Sequence, residues 1–335
     1  MEKPDPESAA PLSSPAGPPR STRLIGNGFH LGWRGRLRAA IAVTCAAALI
    51  AGGGLSACSH GANRTEVGAK PDIVASADVW GSVAQAVAGD DADVHSIIHT
   101  GSADPHSYEA IPADAAAISD ASLVVYNGGG YDAWVDGVLA HSDVPTVDAY
   151  SLLDAAALGE PQPANEHVFY DLGTAKAVAE QIADKLAVAD PTHSGEYHSR
   201  AKEFGTKADA ILNSEHSIGT AHPGAAVVAT EPVAHYLLLA AKLTDKTPKG
   251  FTAAIEQDTD PAPVDVAAML DLITEHQVDV LIFNDQTATA ATKQIRDAAQ
   301  RAGVPIVAVT ETLPAGSDYL SWQTDTANRL AEALR

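Results

Sequence analysis

Short apolar runs alternate with longer amphipathic segments along most of the chain. Eight of the runs have the length expected of buried strands: residues 72–77, 93–98, 123–126, 145–148, 225–230, 250–255, 280–283 and 305–309. Segments with helical spacing of apolar residues separate them. Strands that alternate with helices are typical of parallel α/β sheets. We therefore predict an α/β fold with a parallel sheet flanked by helices in each half of the chain.

The segments with helical spacing divide the chain into two parts. Those between the strands cover residues 79–88, 112–119, 131–141, 171–188, 232–243, 264–276, 288–302 and 317–334. The longest helical segment, residues 192–217, contains no Pro and is interrupted only by Gly195 and Gly205. We predict that it connects two lobes, with an N-terminal α/β lobe at 58–189, a linking helix at 190–217 and a C-terminal α/β lobe at 218–335.

A run of glycines follows the third predicted strand, where residues 127–130 read Asn-Gly-Gly-Gly. The run matches neither the dinucleotide-binding GxGxxG pattern nor the P-loop pattern. We interpret it as a tight turn into the next helix.

The N-terminal 57 residues have the pattern of a targeting segment rather than of a folded domain. Residues 1–33 are rich in Pro, Ser and Gly and are predicted to be disordered. The basic stretch RGRLR at 34–38 and the apolar stretch at 39–51 then form a pattern typical of a signal peptide, too short for a membrane-spanning helix. The pattern ends in Leu-Ser-Ala-Cys, which resembles a bacterial lipobox, so we predict cleavage before Cys58 and lipidation of its thiol. The alternative is a chance Cys after an Ala-rich segment.

Charge and cysteine content narrow the possible functions. Of the 21 Lys and Arg and the 43 Asp and Glu, six and three precede Cys58, so the mature chain carries 15 basic and 40 acidic residues. Such an acidic surface argues against a nucleic-acid partner and suits attraction of cations. The only cysteines are Cys45, inside the signal, and Cys58. The mature chain therefore cannot form an internal disulfide.

Two histidines and two carboxylates lie at four separate places along the chain, each beside a predicted strand end or in a loop. His106 lies in SADPHSYEA, His167 in NEHVFYD, Glu231 in VVATEPVAHY and Glu311 in IVAVTETLP. Imidazole and carboxylate donors together suit a divalent transition metal such as zinc or manganese. The sequence therefore predicts a metal site built from these four loops.

Other interpretations of these residues remain open at this point. The histidines could be ordinary loop residues, and Glu231 could simply favour a helix N-terminus. Asp285 also follows a strand and competes with Glu311 as the fourth ligand. His235 lies one helical turn beyond Glu231 and could face the same cleft.

These motifs together resemble those of a known family, the metal-binding lipoproteins that serve ABC transporters for zinc and manganese. Within that family the chain is most similar to the actinobacterial members. The resemblance covers about residues 58–335 and rests on several motifs in unbroken order. They are the lipobox at Cys58, DPHSYE, NEHVFYD, ATEPVAHYLLLAAKL, KTPKGF, EQDTDPAPVD, LIFNDQ and VPIVAVTETLP.

The resemblance implies a fold, a site and a partner. Family members have two α/β lobes joined by one long helix, and the metal lies in the cleft between the lobes. Carried over residue by residue, the implied ligands are His106, His167, Glu231 and Glu311. The implied function is capture of Zn²⁺ or Mn²⁺ by a monomeric, lipid-anchored protein on the extracytoplasmic face of the membrane, and delivery of the ion to the permease of an ABC importer, without catalysis.

Two departures from the family pattern bear on the metal. NEH replaces the more usual Asn-Pro-His, and the long His-rich loop of many zinc members is absent. A carboxylate at position 231 makes the site harder than an all-His site and so favours manganese, whereas raw affinity still favours zinc. The alternative functions are a metal-dependent surface adhesin and a metallohydrolase, although no HExxH motif is present.

Overall fold

Two four-stranded parallel sheets organise the chain in the computed structural model, which describes residues 70–99, 105–257 and 259–335. The strands are β1 (Asp72–Ala77), β2 (Asp93–Ile98), β3 (Leu123–Tyr126), β4 (Thr146–Asp148), β5 (Ala226–Ala229), β6 (Thr244–Asp245), β7 (Val280–Asn284) and β8 (Ile306–Val309). The sheet orders are β2-β1-β3-β4 and β6-β5-β7-β8, with every neighbouring pair parallel. The predicted fold class is confirmed.

Helices cover both sheets. They are α1 (Asp78–Ala88), α2 (Pro112–Asp120), α3 (Trp134–Leu139), α4 (Ala155–Leu158), α5 (Leu172–Ala189), α6 (Ser194–Ala221), α7 (His235–Ala240), α8 (Lys249–Ile255), α9 (Pro263–Thr274), α10 (Ala290–Ala302) and α11 (Tyr319–Ala333). Because helices shield both faces, the central strands read as continuous apolar runs: β5 and β7 are buried at every position.

The long helix α6 stands between the two sheets in the chain. Its inward stripe recurs every three or four residues, as an amphipathic helix requires. The stripe consists of Tyr197, Ala201, Phe204, Ala208, Ile211, Glu215 and Ile218. The lobe boundaries at residues 189 and 217 stay a prediction.

One buried core passes through both halves of the chain. It joins Ile73 and Val125 of the first sheet to Phe204 of α6 and to Val227 and Ile282 of the second sheet. The strand ends of the two sheets are therefore held against each other by packed apolar side chains.

The structure differs from the sequence-based expectations in three elements. Residues 250–255 are not a strand but lie in the helix α8, whose Phe251 and Ile255 pack on one side, one helical turn apart. The edge strand of that sheet is instead the exposed two-residue β6. The helix predicted at 131–141 shortens to α3 because Gly128, Gly129 and Gly130 form a turn with positive φ. The helix predicted at 232–243 is the 3-10 turn Pro232–Ala234 followed by α7.

Cys58 and the predicted signal peptide lie outside the described residues. Within the described ranges, no helix combines the length and the apolarity needed to cross a bilayer.

Candidate metal centre

The four candidate ligands lie at the carboxyl ends of strands from both sheets. His106 lies beyond β2, and His167 beyond β4. Glu231 and Glu311 each stand two residues beyond a strand of the second sheet, β5 and β8. Between β5 and its neighbour β7 the winding of that sheet reverses direction. Open α/β sheets bind ligands at such a switch point.

His167 is held with one ring nitrogen facing the site. Its Nδ1 lies 3.0 Å from Oδ1 of Asn165, which also accepts the backbone N–H of His167 at 2.9 Å. Because that oxygen only accepts, Nδ1 carries the hydrogen and Nε2 keeps its lone pair. Burial lowers the pKa of His167, despite the opposing charge of Glu311, so the ring is neutral.

His106 forms the more open side of the site. It lies in the 3-10 turn Pro105–Ser107, and its side chain is 25% exposed, against 1% for the side chain of His167. Its ring stands edge-on to Tyr131, with centroids 4.7 Å apart, and 5.5 Å from the ring of His167. An ion arriving from solvent therefore meets His106 before His167.

The two carboxylates differ in protonation. Burial and, to a smaller extent, the negative charge of Glu311 raise the pKa of Glu231 to about 7, against hydrogen bonds from Thr287 and Asn284. Burial also favours the neutral form of Glu311. The hydrogen bond from His106, with smaller electrostatic contributions from the two rings and a hydrogen bond from Asn284, outweighs that effect and holds the pKa of Glu311 below its ordinary value. The site thus carries one full negative charge and a second carboxyl group that titrates near neutrality.

The donor atoms surround one point. Ligand atoms of His106, His167 and Glu231 all lie within 4.8 Å of one another. Oε2 of Glu311 lies 3.4 Å from Nε2 of His106 and 3.9 Å from Nε2 of His167. Within the described part of the chain, the buried Nε2 of His167 has no hydrogen-bond partner. The structure therefore brings together all four residues that the sequence singled out.

The loop after β7 supplies polar residues that the sequence analysis missed. Asn284, the last residue of β7, donates its amide hydrogens to Glu231 Oε2 at 2.6 Å and Glu311 Oε1 at 2.8 Å. Thr287 donates its hydroxyl to the same oxygen of Glu231. Gln286 accepts the backbone N–H groups of Glu311 and Thr312. The signal that could have found them is the motif LIFNDQ itself, which ends a buried strand between the two carboxylate strands.

The two rival residues lie in other surroundings. Asp285 is exposed and its backbone N–H donates to the backbone oxygen of Val309, whereas Glu311 is buried with Oε2 near Nε2 of both histidines. Nε2 of His235 lies 2.8 Å from Oε2 of Glu160 and so pairs with a residue outside the four. The geometry favours Glu311 over Asp285.

A comparison with protein families decides which family the chain represents. The family model described as "ZnuA: Zinc-uptake complex component A periplasmic" matches residues 73–333, which is most of the chain and all of both sheets except Asp72. The chain belongs to this family.

Individual relatives of this ZnuA-family protein are distant in sequence but similar over nearly their whole length. The manganese ABC transporter substrate-binding lipoprotein PsaA of Streptococcus pneumoniae is 24% identical over 299 residues, covering 84% of this chain and 94% of PsaA. The laminin-binding protein Lmb of Streptococcus agalactiae has a TM-score of 0.68 at 24% identity, covering 79% of this chain and 100% of Lmb. The periplasmic zinc-binding protein TroA of Treponema pallidum has a TM-score of 0.68 at 18% identity, covering 79% and 99%. The two solved structures show that the fold is shared.

The residues of this ZnuA-family chain fit a divalent metal as cargo. Two imidazoles and two carboxyl groups are donors that zinc and manganese accept. Burying a dication costs least where carboxylates neutralise it. When no metal is bound, a proton on Glu231 neutralises part of the negative charge of the site, and a bound cation would displace that proton. The orphaned Nε2 of His167 would gain the partner that a buried polar atom requires.

Proposed function

We propose that the protein is an extracytoplasmic solute-binding lipoprotein that captures Zn²⁺ or Mn²⁺ through His106, His167, Glu231 and Glu311 and delivers the ion to an ABC importer. The proximity of the donors carries the proposal. Ligand atoms of His106, His167 and Glu231 lie within 4.8 Å of one another, and Oε2 of Glu311 lies within 3.9 Å of Nε2 of both histidines. The names of PsaA and TroA, which bind manganese and zinc, support the choice of cargo. Membership of the family supports the importer as partner.

The surroundings of the site suit capture of a cation. A cavity of about 120 Å³ borders it and is lined by His106, Glu231 and the acidic residues Glu166, Glu256 and Asp260. Clefts lined by one sign of charge concentrate counter-ions and raise their rate of association. We infer that an ion enters through this cavity, passes the partly exposed His106 and settles against the buried His167.

Neither alternative function is supported by the residues around the site. A hydrolytic zinc site keeps a coordination position open for water. Here four donors lie close together, which suits an ion that is held and released unchanged.

The anchor proposed at Cys58 would place the site at the outer surface of the membrane, where the permease of the importer lies.

The test is calorimetric titration with Zn²⁺ and with Mn²⁺ of the wild type and of four variants: His106→Ala, His167→Ala, Glu231→Ala and Glu311→Ala. Each variant loses a donor, so we expect each to weaken binding by more than the roughly 10–100-fold that outer-shell changes cost. His235→Ala and Asp285→Ala are the matched controls and should each cost less than about 10-fold.

Circular dichroism of all six variants separates loss of a ligand from loss of the fold. Wild-type affinity in both histidine variants would refute the metal site itself. Abolished binding in Asp285→Ala with intact binding in Glu311→Ala would show that the fourth ligand was misassigned while the function stands.

A further inference from the structure

Asn284 lies between the two proposed carboxylate ligands and contacts both. It ends β7, the strand between β5 and β8, and is 2% exposed. Its Nδ2 lies 2.6 Å from Oε2 of Glu231 and 2.8 Å from Oε1 of Glu311. The same nitrogen also lies 2.9 Å from Oγ1 of Thr287, but the two carboxylate contacts are the shorter ones. An amide nitrogen has two hydrogens, and the two carboxylate oxygens are the stronger acceptors for them.

The orientation of this amide is fixed by its other end. Oδ1 of Asn284 accepts the backbone N–H of Gln286 at 3.1 Å. A flipped amide would turn an oxygen toward two carboxylates and its NH₂ group toward a backbone N–H, and every contact would become repulsive. The backbone N–H of Asn284 also donates to Thr230 Oγ1 at 3.0 Å, which anchors the residue on the strand before Glu231.

The rest of the β7–α10 loop reinforces the arrangement. Thr287 donates its hydroxyl to Oε2 of Glu231, the same oxygen that Asn284 contacts. Gln286 holds the backbone that carries Glu311 by accepting the N–H groups of Glu311 and Thr312, and its own amide donates to Thr312 Oγ1 at 2.7 Å. One loop therefore positions both carboxylates, which come from two different strands.

These hydrogen bonds distinguish the two oxygens of each carboxylate. In Glu311 the oxygen bound by Asn284 is Oε1, whereas Oε2 is the one that faces Nε2 of both histidines. In Glu231 both donors contact Oε2, which leaves Oε1. In Glu231 the two donors take up both lone pairs of Oε2, and in Glu311 the hydrogen bond to Oε1 resists rotation of the group. Each carboxylate is therefore held with its other oxygen toward the site.

We propose that Asn284 is a positioning residue that sets metal preference, because it restricts Glu231 and Glu311 to one oxygen each and thereby fixes a four-donor site. The inference rests on the proposed function and deepens it. Two nitrogens and two oxygens make a tetrahedral set, which zinc prefers. Manganese prefers six-coordinate sites that are rich in oxygen donors. Carboxylates that bind through both oxygens would help to supply them. The wild-type geometry thus favours Zn²⁺ over Mn²⁺ beyond their general difference in affinity.

The test compares Asn284→Ala and Thr287→Val with the wild type. Competition titrations give the ratio of Zn²⁺ to Mn²⁺ affinity, and Co²⁺ loaded into the site reports coordination through its visible absorption, which is intense for tetrahedral and weak for six-coordinate ions. We expect Asn284→Ala to lower the Zn²⁺ to Mn²⁺ ratio by at least about 10-fold, in the range typical of outer-shell residues, and to weaken the Co²⁺ absorption. Thr287→Val should shift both in the same direction by less, because Asn284 still holds Glu231.

Thr292→Val is the matched control. It makes the same substitution as Thr287→Val at a buried position in the first turn of α10. There Thr292 and the N-cap residue Thr289 hydrogen-bond each other. We expect lower thermal stability with an unchanged affinity ratio and Co²⁺ spectrum. If Asn284→Ala does not fold, Thr287→Val, at a less buried position, decides the question.

Two outcomes are distinguishable. Equal losses of Zn²⁺ and Mn²⁺ affinity in Asn284→Ala, or in Thr287→Val where that variant decides, with a wild-type Co²⁺ spectrum, would overturn the role in metal preference and leave metal capture intact. A wild-type protein that binds none of Zn²⁺, Mn²⁺ and Co²⁺ would overturn the proposed function, and the inference with it.

Discussion

Glu215 is an acid in the place of an apolar residue. It lies in the inward stripe of α6, between Ile211 and Ile218, and is 1% exposed. Its Oε1 has no hydrogen-bond partner within the described ranges. Burial and, to a smaller extent, the charge of Asp171 raise the pKa of Glu215 to about 8. The folded protein therefore holds a proton on this residue at neutral pH.

That proton makes stability depend on pH. The pKa of Glu215 is about 8 in the folded protein and 4.5 as its ordinary value, so the folded state binds the proton more tightly. Ionisation of Glu215 therefore does not reduce stability below pH 4.5. The free energy of unfolding falls as pH rises from there to about 8. The full effect is on the order of 4–5 kcal/mol.

The variant Glu215→Gln carries no titrating proton and should escape this loss. We expect its advantage over the wild type in free energy of unfolding to be larger at pH 9 than at pH 5 by a few kcal/mol. Urea denaturation with chelator present measures it, and Glu196→Gln, an exposed change on the same helix, is the control. An advantage that is equal at the two pH values would contradict a raised pKa.

The candidate site was largely visible in the sequence because Glu231 and Glu311 directly follow recognisable strands and His106 and His167 lie in distinctive loop motifs. Asn284 was not. An amide is a poor indicator of a metal site, and its role depends on β7 lying between β5 and β8, which is a matter of strand order. Asp285 follows a strand as Glu311 does, so it stayed a rival in the sequence, and burial together with the distances to the histidines separates the two.

At the scale of elements, α6 and the end of α7 approach each other closely at Gly219. A Cβ on Gly219 would lie 2.2 Å from the backbone oxygen of Ala241. On the same helix, a Cβ on Gly205 would meet only the side chain of Lys176, at 3.5 Å, an ordinary contact. Both glycines thus lie in α6, but only Gly205 has space for a Cβ.

Alanine substitutions at these two glycines should have opposite effects. We expect Gly219→Ala to lower the free energy of unfolding by roughly 1–3 kcal/mol, because backbone must move to relieve the overlap. Gly205→Ala should raise it by roughly 0.4–1 kcal/mol, because the unfolded chain loses freedom. Urea denaturation of metal-free protein measures both, and equal effects would show that the approach of α6 to Ala241 is not tight.

The elements that sequence patterns located well are those with long or fully buried patterns. Helix α5 and strand β7 were predicted to within one residue at each end. The error at 250–255 arose where a short segment offers too few residues to distinguish a period of 2 from 3.6. The strand β6 was missed because both of its residues are exposed and only its pairing with β5 defines it.

At the scale of the whole molecule, the two sheets repeat one topology without visible sequence repetition. In each, the first strand lies between the second and the third, and the fourth follows the third. Each sheet therefore has one switch point at the carboxyl ends of its central strands, and the apolar core shared by the two sheets holds these ends together. A site built half from each sheet follows from that arrangement.

The charge of the whole molecule bears on how it would stay at a membrane. After Cys58 the chain carries 40 acidic against 15 basic residues. Anionic lipid surfaces attract basic proteins and repel acidic ones. Electrostatic attraction therefore cannot hold the mature protein on a membrane. The proposed acyl chains on Cys58 would have to supply the attachment, and two or more chains give stable anchoring where one does not.

Cys58→Ala removes the thiol that we propose as the lipid acceptor, so we expect the protein to leave the membrane fraction. Cell fractionation followed by immunoblotting measures this, and Cys45→Ala, which removes the other cysteine inside the predicted signal, should leave the protein at the membrane. Metal titration of the released protein should match the wild type, because the anchor supplies none of the proposed donors. A Cys58→Ala protein that stays with the membrane after a high-salt wash would instead indicate that the apolar segment 39–51 is retained as the anchor.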